Sequence, residues 1–121
     1  MSARVLVIED DAKIRAILER GLRLAGHMAT LTEDLASGRE RWVAGTFDLV
    51  LLDVMLPDGN GLELLAERRA DGDRTPTVLL TAREESELRE RAAAAGATAY
   101  LPKPFAYREL LACVERLAGG R

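Results

Sequence analysis

The sequence predicts an α/β protein: a doubly wound, five-stranded parallel sheet with five helices on its two faces, for which 2-1-3-4-5 is the common strand order and the one expected here. Three observations carry the fold class. Short β-rich runs alternate with helix-period segments along the chain, the pattern of stacked βαβ units. The runs are nearly continuous in apolar residues, as strands covered on both faces are. The chain has 121 residues, enough for one domain that buries roughly two-thirds of its unfolded surface.

The first strand is "ARVLVIE", residues 3–9. Ile14, Ile17, Leu18, Gly21, Leu22 and Ala25 then recur at helical spacing and mark the inward face of a helix ending near Gly26. "MATLT" (28–32) is a weaker second strand, followed by a helix from Asp34 to about Ala44. "FDLVLLD" (47–53) is the third strand, and after a Pro/Gly turn a helix runs from Gly61 to Ala70. Strand four is "TPTVLLTA" (75–82). A fourth helix, about 84–95, offers only Leu88 and alanines to a core, so it is expected to be held loosely. "ATAYLPKPF" supplies strand five, and Leu110, Leu111, Val114 and Leu117 set the inward face of the last helix. The domain is read as residues 1–118, with 119–121 as the start of a linker or the chain's end.

Composition excludes several classes. No apolar run approaches the roughly 18 residues of a membrane span, and the N-terminal "MSARVLVIEDD" is interrupted by acids, unlike a signal peptide. A single cysteine, Cys113, excludes an internal disulfide and fits a reducing compartment. The expected location is cytoplasmic, with no membrane partner. A net charge of -3 with interspersed signs predicts no direct nucleic-acid binding by this domain.

In a parallel sheet all C-terminal strand ends emerge at one edge, and strands one and three meet at the switch point of this order. That edge receives Glu9, Asp10 and Asp11 from strand one, Asp53 from strand three, Thr81 from strand four and Lys103 from strand five. Strands lie about 4.8 Å apart, so a threonine next to strand three can stay short, whereas a group on strand five must cross about 10 Å, which suits lysine's flexible stem. Clustered carboxylates repel unless a cation sits among them. Lys103 offers one charge, and a few hard oxygen ligands describe a magnesium site. Metal, lysine, hydroxyl and carboxylate nucleophile together make a phosphoryl-transfer site.

With "VLVIEDD", "DLVLLDVMLPDGNGLEL", "TVLLTAR" and "GATAYLPKPF" in this order and spacing, the chain resembles the receiver domain of two-component response regulators, in particular those of the winged-helix transcription-factor subfamily. The resemblance implies a flavodoxin-like fold and a signalling switch rather than a turnover enzyme. It implies that Asp53 accepts a phosphoryl group from a sensor histidine kinase, and that the domain assists its own phosphorylation and dephosphorylation. Asp10, Asp53 and the backbone carbonyl of Met55 would hold Mg2+, with Mn2+ as a substitute, and Glu9 would act through a metal-bound water. Thr81 and Lys103 would grip phosphoryl oxygens. Tyr100 would be the aromatic switch residue, turning inward with Thr81, and the Lys103–Pro104 bond is similar to one that is cis in the family. The helix4-strand5-helix5 face would control an effector domain C-terminal to Arg121 or a separate partner, transcription being one candidate output.

Two rival readings stand beside it: a phosphatase or phosphotransferase working through an aspartyl phosphate, and a receiver fold that binds partners without phosphorylation. The enzymes usually carry a second aspartate two residues after the nucleophile, where this chain has Met55. The chain also departs from the resemblance. Thr98 and Ala99 stand where many receivers of the winged-helix type carry aspartates, and Cys113 stands where they carry arginine. Arg89 and Glu109 match another inter-subunit pair, so a homodimer through helix4-strand5-helix5 is implied with one of its bridges missing.

Other residues have plainer expectations. Asp11 is read as the cap of the first helix. His27 is expected at the surface, Trp42 as partly buried packing, and Cys113 as a structural thiol with no basic neighbour. Gly59 and Gly61 belong to a turn, because Leu64 occupies the third glycine position of a dinucleotide fingerprint.

Overall fold

The structure, a computed structural model, describes residues 2–82 and 86–118. The expected start of the fourth helix at 84 and the linker at 119–121 lie outside the described residues. The strands are β1 (Arg4–Ile8), β2 (Met28–Thr32), β3 (Leu49–Asp53), β4 (Thr77–Thr81) and β5 (Ala99–Pro102). All pair in parallel, in the order β2-β1-β3-β4-β5. The helices are α1 (Ala12–Leu24), α2 (Leu35–Ala44), α3 (Gly61–Ala70), α4 (Ser86–Ala95) and α5 (Tyr107–Ala118).

Alternation along each strand divides the interior into two cores. Val5, Val7, Leu49, Leu51, Val78 and Leu80 face Leu18 and Leu22 of α1 and Leu110 and Val114 of α5. Leu6, Ile8, Val50, Leu52 and Leu79 face Trp42 of α2, Leu62 and Leu65 of α3, and Leu88 and Ala92 of α4. Each large aliphatic side chain so buried contributes about 1.5–3 kcal/mol. Among its described residues α4 offers the second core one large side chain, Leu88. Arg69 adds a polar tie on that side, donating to the carbonyls of Gly96, Asp73 and Thr75.

Four expectations need correction. Ile17 is 61% exposed: α1 turns its Leu18–Leu22 line to the sheet, which leaves Ile17 on the flank. On α5, Leu111 and Leu117 are only half-buried, and Ala118 joins Leu110 and Val114 inside. His27 is 8% exposed rather than at the surface. Gly26, at φ +90, folds the chain back after α1, and His27 tucks beneath the first strand, its Nδ1 accepting from the backbone N–H of Ala3 at 3.0 Å. Trp42, at 2% exposure, is wholly rather than partly buried.

β2 matches its apolar run, β1, β3 and β4 are one or two residues shorter at one or both ends, and β5 loses two residues at its start and three at its end, where Lys103–Phe105 leave the sheet. The Pro/Gly turn after β3 is itself ordered: Met55–Leu56 pairs antiparallel with Gly59–Asn60. Asp11 caps α1 as expected, its Oδ1 accepting from the N–H groups of Lys13 and Ile14.

Candidate functional site

The register pairs Ile8 with Leu52, so Glu9 and Asp53 emerge side by side where β1 and β3 end. Glu9 is fully buried and Asp53 is 6% exposed, while Asp10 faces solvent. One carboxylate oxygen from each of Glu9, Asp10 and Asp53 lies within 4.8 Å of the others. Lys103 reaches in from beyond β5, its Nζ 2.5 Å from Glu9 Oε1 and 3.2 Å from Asp53 Oδ2. The N–H of Lys103 donates to the Thr81 carbonyl at 2.6 Å, and the Lys103–Pro104 bond is cis.

Thr81, the buried last residue of β4, lines one groove with Asp53, Met55, Asn60 and Lys103. The peptide N–H of Met55 donates to Asp53 Oδ1 at 3.2 Å. Glu9 Oε2 accepts from the N–H of Asp11 at 3.0 Å. All the site residues expected from the sequence therefore converge at one edge, except Tyr100, which lies lower on β5, half-buried against the core beneath α4. Arg89 of α4 stacks over its ring, Cζ 5.4 Å from the centroid.

Burial pushes the Asp53 carboxyl up to about 7, the Glu9 charge adds to the rise, and Lys103 opposes it. For Lys103, burial works against the ammonium but is outweighed by Glu9 and Asp53, so its pKa is raised. Two buried carboxylates and a third at the rim, set against one lysine, leave an excess of negative charge composed of hard oxygen donors. That donor set fits a divalent cation such as magnesium.

Three residues of the site escape a reading of the sequence. Arg15 donates through Nη1 to the carbonyls of Glu9 at 2.9 Å and Asp10 at 2.8 Å, and its Nη2 lies 3.4 Å from Glu33, so one side chain fixes the acidic loop. Gly61 packs so closely that a Cβ there would stand 2.3 Å from the Asp53 backbone oxygen. Asp58 ties the β3–α3 loop to α2. Arginine in a helix's first turn and a glycine after a turn are weak signals alone, because their partners come from other elements.

On α5 and the approach to β5, Glu109 Oε1 accepts from the N–H of Ala106, capping α5, and Thr98 Oγ1 accepts from the N–H of Thr77. Cys113 has a basic neighbour after all, Arg116 Nη2 at 4.0 Å from its sulfur. No described helix is long and apolar enough to cross a membrane.

This fold has counterparts. The response regulator receiver domain family matches residues 5–115. The chain belongs to that family. Among curated receiver-containing relatives, response regulator MprA of Mycobacterium ulcerans (strain Agy99) is 41% identical over 117 residues, covering 97% of this chain and 50% of that protein. The chain thus spans about half the length of the curated relatives it matches. The receiver domain of Francisella response regulator 1452 superposes with TM-score 0.93 at 28% identity, covering 98% of each chain. The receiver domain of sensor histidine kinase PA1611 from Pseudomonas aeruginosa PAO1, described with a magnesium ion coordinated in the active site cleft, superposes with TM-score 0.88 at 31% identity over 98% of this chain and 99% of that one.

Proposed function

We propose that this receiver domain, residues 1–118, is a phosphorylation-activated switch in which Asp53 accepts a phosphoryl group from a sensor histidine kinase. The observation that carries the reading is the convergence of Asp53, Glu9, Asp10, Thr81 and Lys103 at one sheet edge, with Lys103 Nζ 3.2 Å from Asp53 Oδ2. Asp53 Oδ forms the new O–P bond as the P–N bond of phosphohistidine breaks, the electron pair leaving on the imidazole nitrogen. Lys103 and the Thr81 hydroxyl hold the equatorial oxygens, and β3 keeps the rest of the acceptor strand out of water.

Asp10, Asp53 and the Met55 carbonyl would hold Mg2+, or Mn2+, with Glu9 acting through a bound water. The ion supplies charge neutralisation between the carboxylates and the incoming phosphoryl oxygens.

Phosphorylation then biases a pre-existing equilibrium in the α4-β5-α5 face, with Thr81 drawn toward the phosphoryl group and Tyr100 moving inward. The sparse apolar content of α4 suits it to such a shift. The domain assists its own phosphorylation and dephosphorylation, acts in the cytoplasm, and controls an effector domain C-terminal to Arg121 or a separate partner, transcription being one candidate output. The greater length of the MprA relatives supports an effector domain. A homodimer through α4-β5-α5 would keep Arg89 and Glu109 and lack the bridge that Ala99 and Cys113 cannot form.

Incubation with a small acyl phosphate and Mg2+, followed by intact-mass measurement, tests the reading. One phosphoryl addition, absent in Asp53→Asn, is expected. Continuous donor turnover would indicate a phosphatase instead, and no addition would leave a passive binding module.

A further inference from the structure

The loop that leaves Asp53 is clamped at its tip as well as at its base. At the base, the N–H of Gly61 donates to the Val54 carbonyl at 2.7 Å, and Met55–Leu56 pairs with Gly59–Asn60. At the tip, both oxygens of Asp58 are engaged across 23 and 22 residues: Oδ1 accepts from the N–H of Leu35 at 2.8 Å and Oδ2 from the N–H of Ala36 at 3.0 Å. These are the first two N–H groups of α2, which a helix cannot satisfy internally. The next is taken by Asp34, whose Oδ1 accepts from Ser37 at 2.8 Å. Gly59, at φ +148, seats the tip directly on α2, since a Cβ there would stand 2.8 Å from Leu35 Cδ1.

We infer that Asp58 is a positioning residue: by anchoring the loop tip to the N-terminus of α2, it holds Met55 where its carbonyl can serve the cation site. The inference rests on the phosphoacceptor reading above. A short ribbon joined to the body only at its base can pivot there, which moves Met55 relative to Asp53. Two charge-assisted hydrogen bonds to a helix seated on the sheet remove that freedom. The clamp also links the acceptor loop to α2, the helix that carries Trp42.

Asp34 provides the control. Its side chain caps the same helix end but, among the described residues, hydrogen-bonds only Ser37, so Asp34→Ala weakens α2 without releasing the loop. Asp58→Ala and Asp34→Ala are expected to lower the melting temperature comparably. Only Asp58→Ala should weaken Mg2+ binding by calorimetry, roughly tenfold, the low end of what loss of outer supports costs at metal sites. Asp58→Asn, which keeps one acceptor oxygen, should fall between. In metal-free protein, the Gly61 amide should exchange hydrogen about tenfold faster in Asp58→Ala alone, if the ribbon pivots as argued. Equal Mg2+ affinity in Asp58→Ala and the parent, equal weakening in both alanine variants, or unchanged Gly61 exchange would overturn the inference while leaving the receiver reading intact. A parent protein that binds no Mg2+, or binds it equally well as Asp53→Asn, would overturn that reading and this inference with it.

Discussion

Lys103 Nζ lies 3.2 Å from Asp53 Oδ2, a contact between residues 50 positions apart. The same ammonium faces Glu9, which has no exposed surface. Lys103→Met would leave two buried carboxylates without that cation. At pH 8 in metal-free protein the variant should lose about 2–3 kcal/mol of stability, below the range for a wholly buried pair because Lys103 retains some exposure. Asp53 can take up a proton in acid, so the loss should shrink at pH 5. Urea titrations at the two pH values check this, and equal losses would refute it.

Asp53 carries its own pH signature. Burial, followed by the Glu9 charge, raises its pKa from the ordinary 3.8 to about 7, so the folded state binds this proton more tightly than the unfolded chain. Through this group stability is greatest below about pH 4, falls as pH rises toward 7, and levels off above. Asp53→Asn should therefore melt higher than the parent at pH 8 without metal, and the difference should vanish near pH 4. Mg2+ requires the ionised carboxylate, so its affinity should rise through pH 7 with release of a proton. Melting curves and calorimetry in buffers of different ionisation enthalpy measure both effects.

Gly61 stands where a side chain has no room. Its Cβ would lie 2.3 Å from the Asp53 backbone oxygen and 3.2 Å from Leu52. Backbone cannot yield as a flexible side chain does, so Gly61→Ala should cost about 2–3 kcal/mol, at the upper end of overpacking. It should also slow phosphorylation of Asp53 by displacing its carbonyl. Full stability together with the parent's labelling rate would contradict this.

Arg89 lies over the Tyr100 ring, Cζ 5.4 Å from the centroid. An exposed contact of this kind is worth about 0.5–1 kcal/mol. Arg89→Ala should therefore lower stability by less than 1 kcal/mol while shifting the Tyr100 ring resonances in NMR spectra, because the guanidinium no longer lies over the ring. Unchanged ring resonances would remove Arg89 from any account of the switch.

Much of this molecule was legible in one dimension. β2 begins and ends where its apolar run does, α3 starts at Gly61, and the sheet is parallel as alternating strand and helix patterns imply, in the order common to five-stranded doubly wound sheets. Asp53, Asp10, Glu9, Thr81 and Lys103 could be assigned to one edge because a parallel sheet sends every strand's C-terminus the same way. Periodicity failed where it had to name a neighbour. It put Ile17 on the inward face because the spacing fits, yet the angle at which α1 meets the sheet leaves that residue outside. It gave no sign that a loop glycine would tuck His27 under Ala3.

The local pattern of apolar and polar residues was sufficient for strand, helix and chain direction, since each depends on side chains within a few positions of one another. Distances between elements were not contained in it. Whether Lys103 would meet Asp53, whether Arg15 would bind the acidic loop's carbonyls and whether Asp58 would cap a helix 22 residues earlier depended on register and packing angle. Those are settled by how whole faces fit together, because a side chain acquires a distant partner only once the two cores have closed around the sheet.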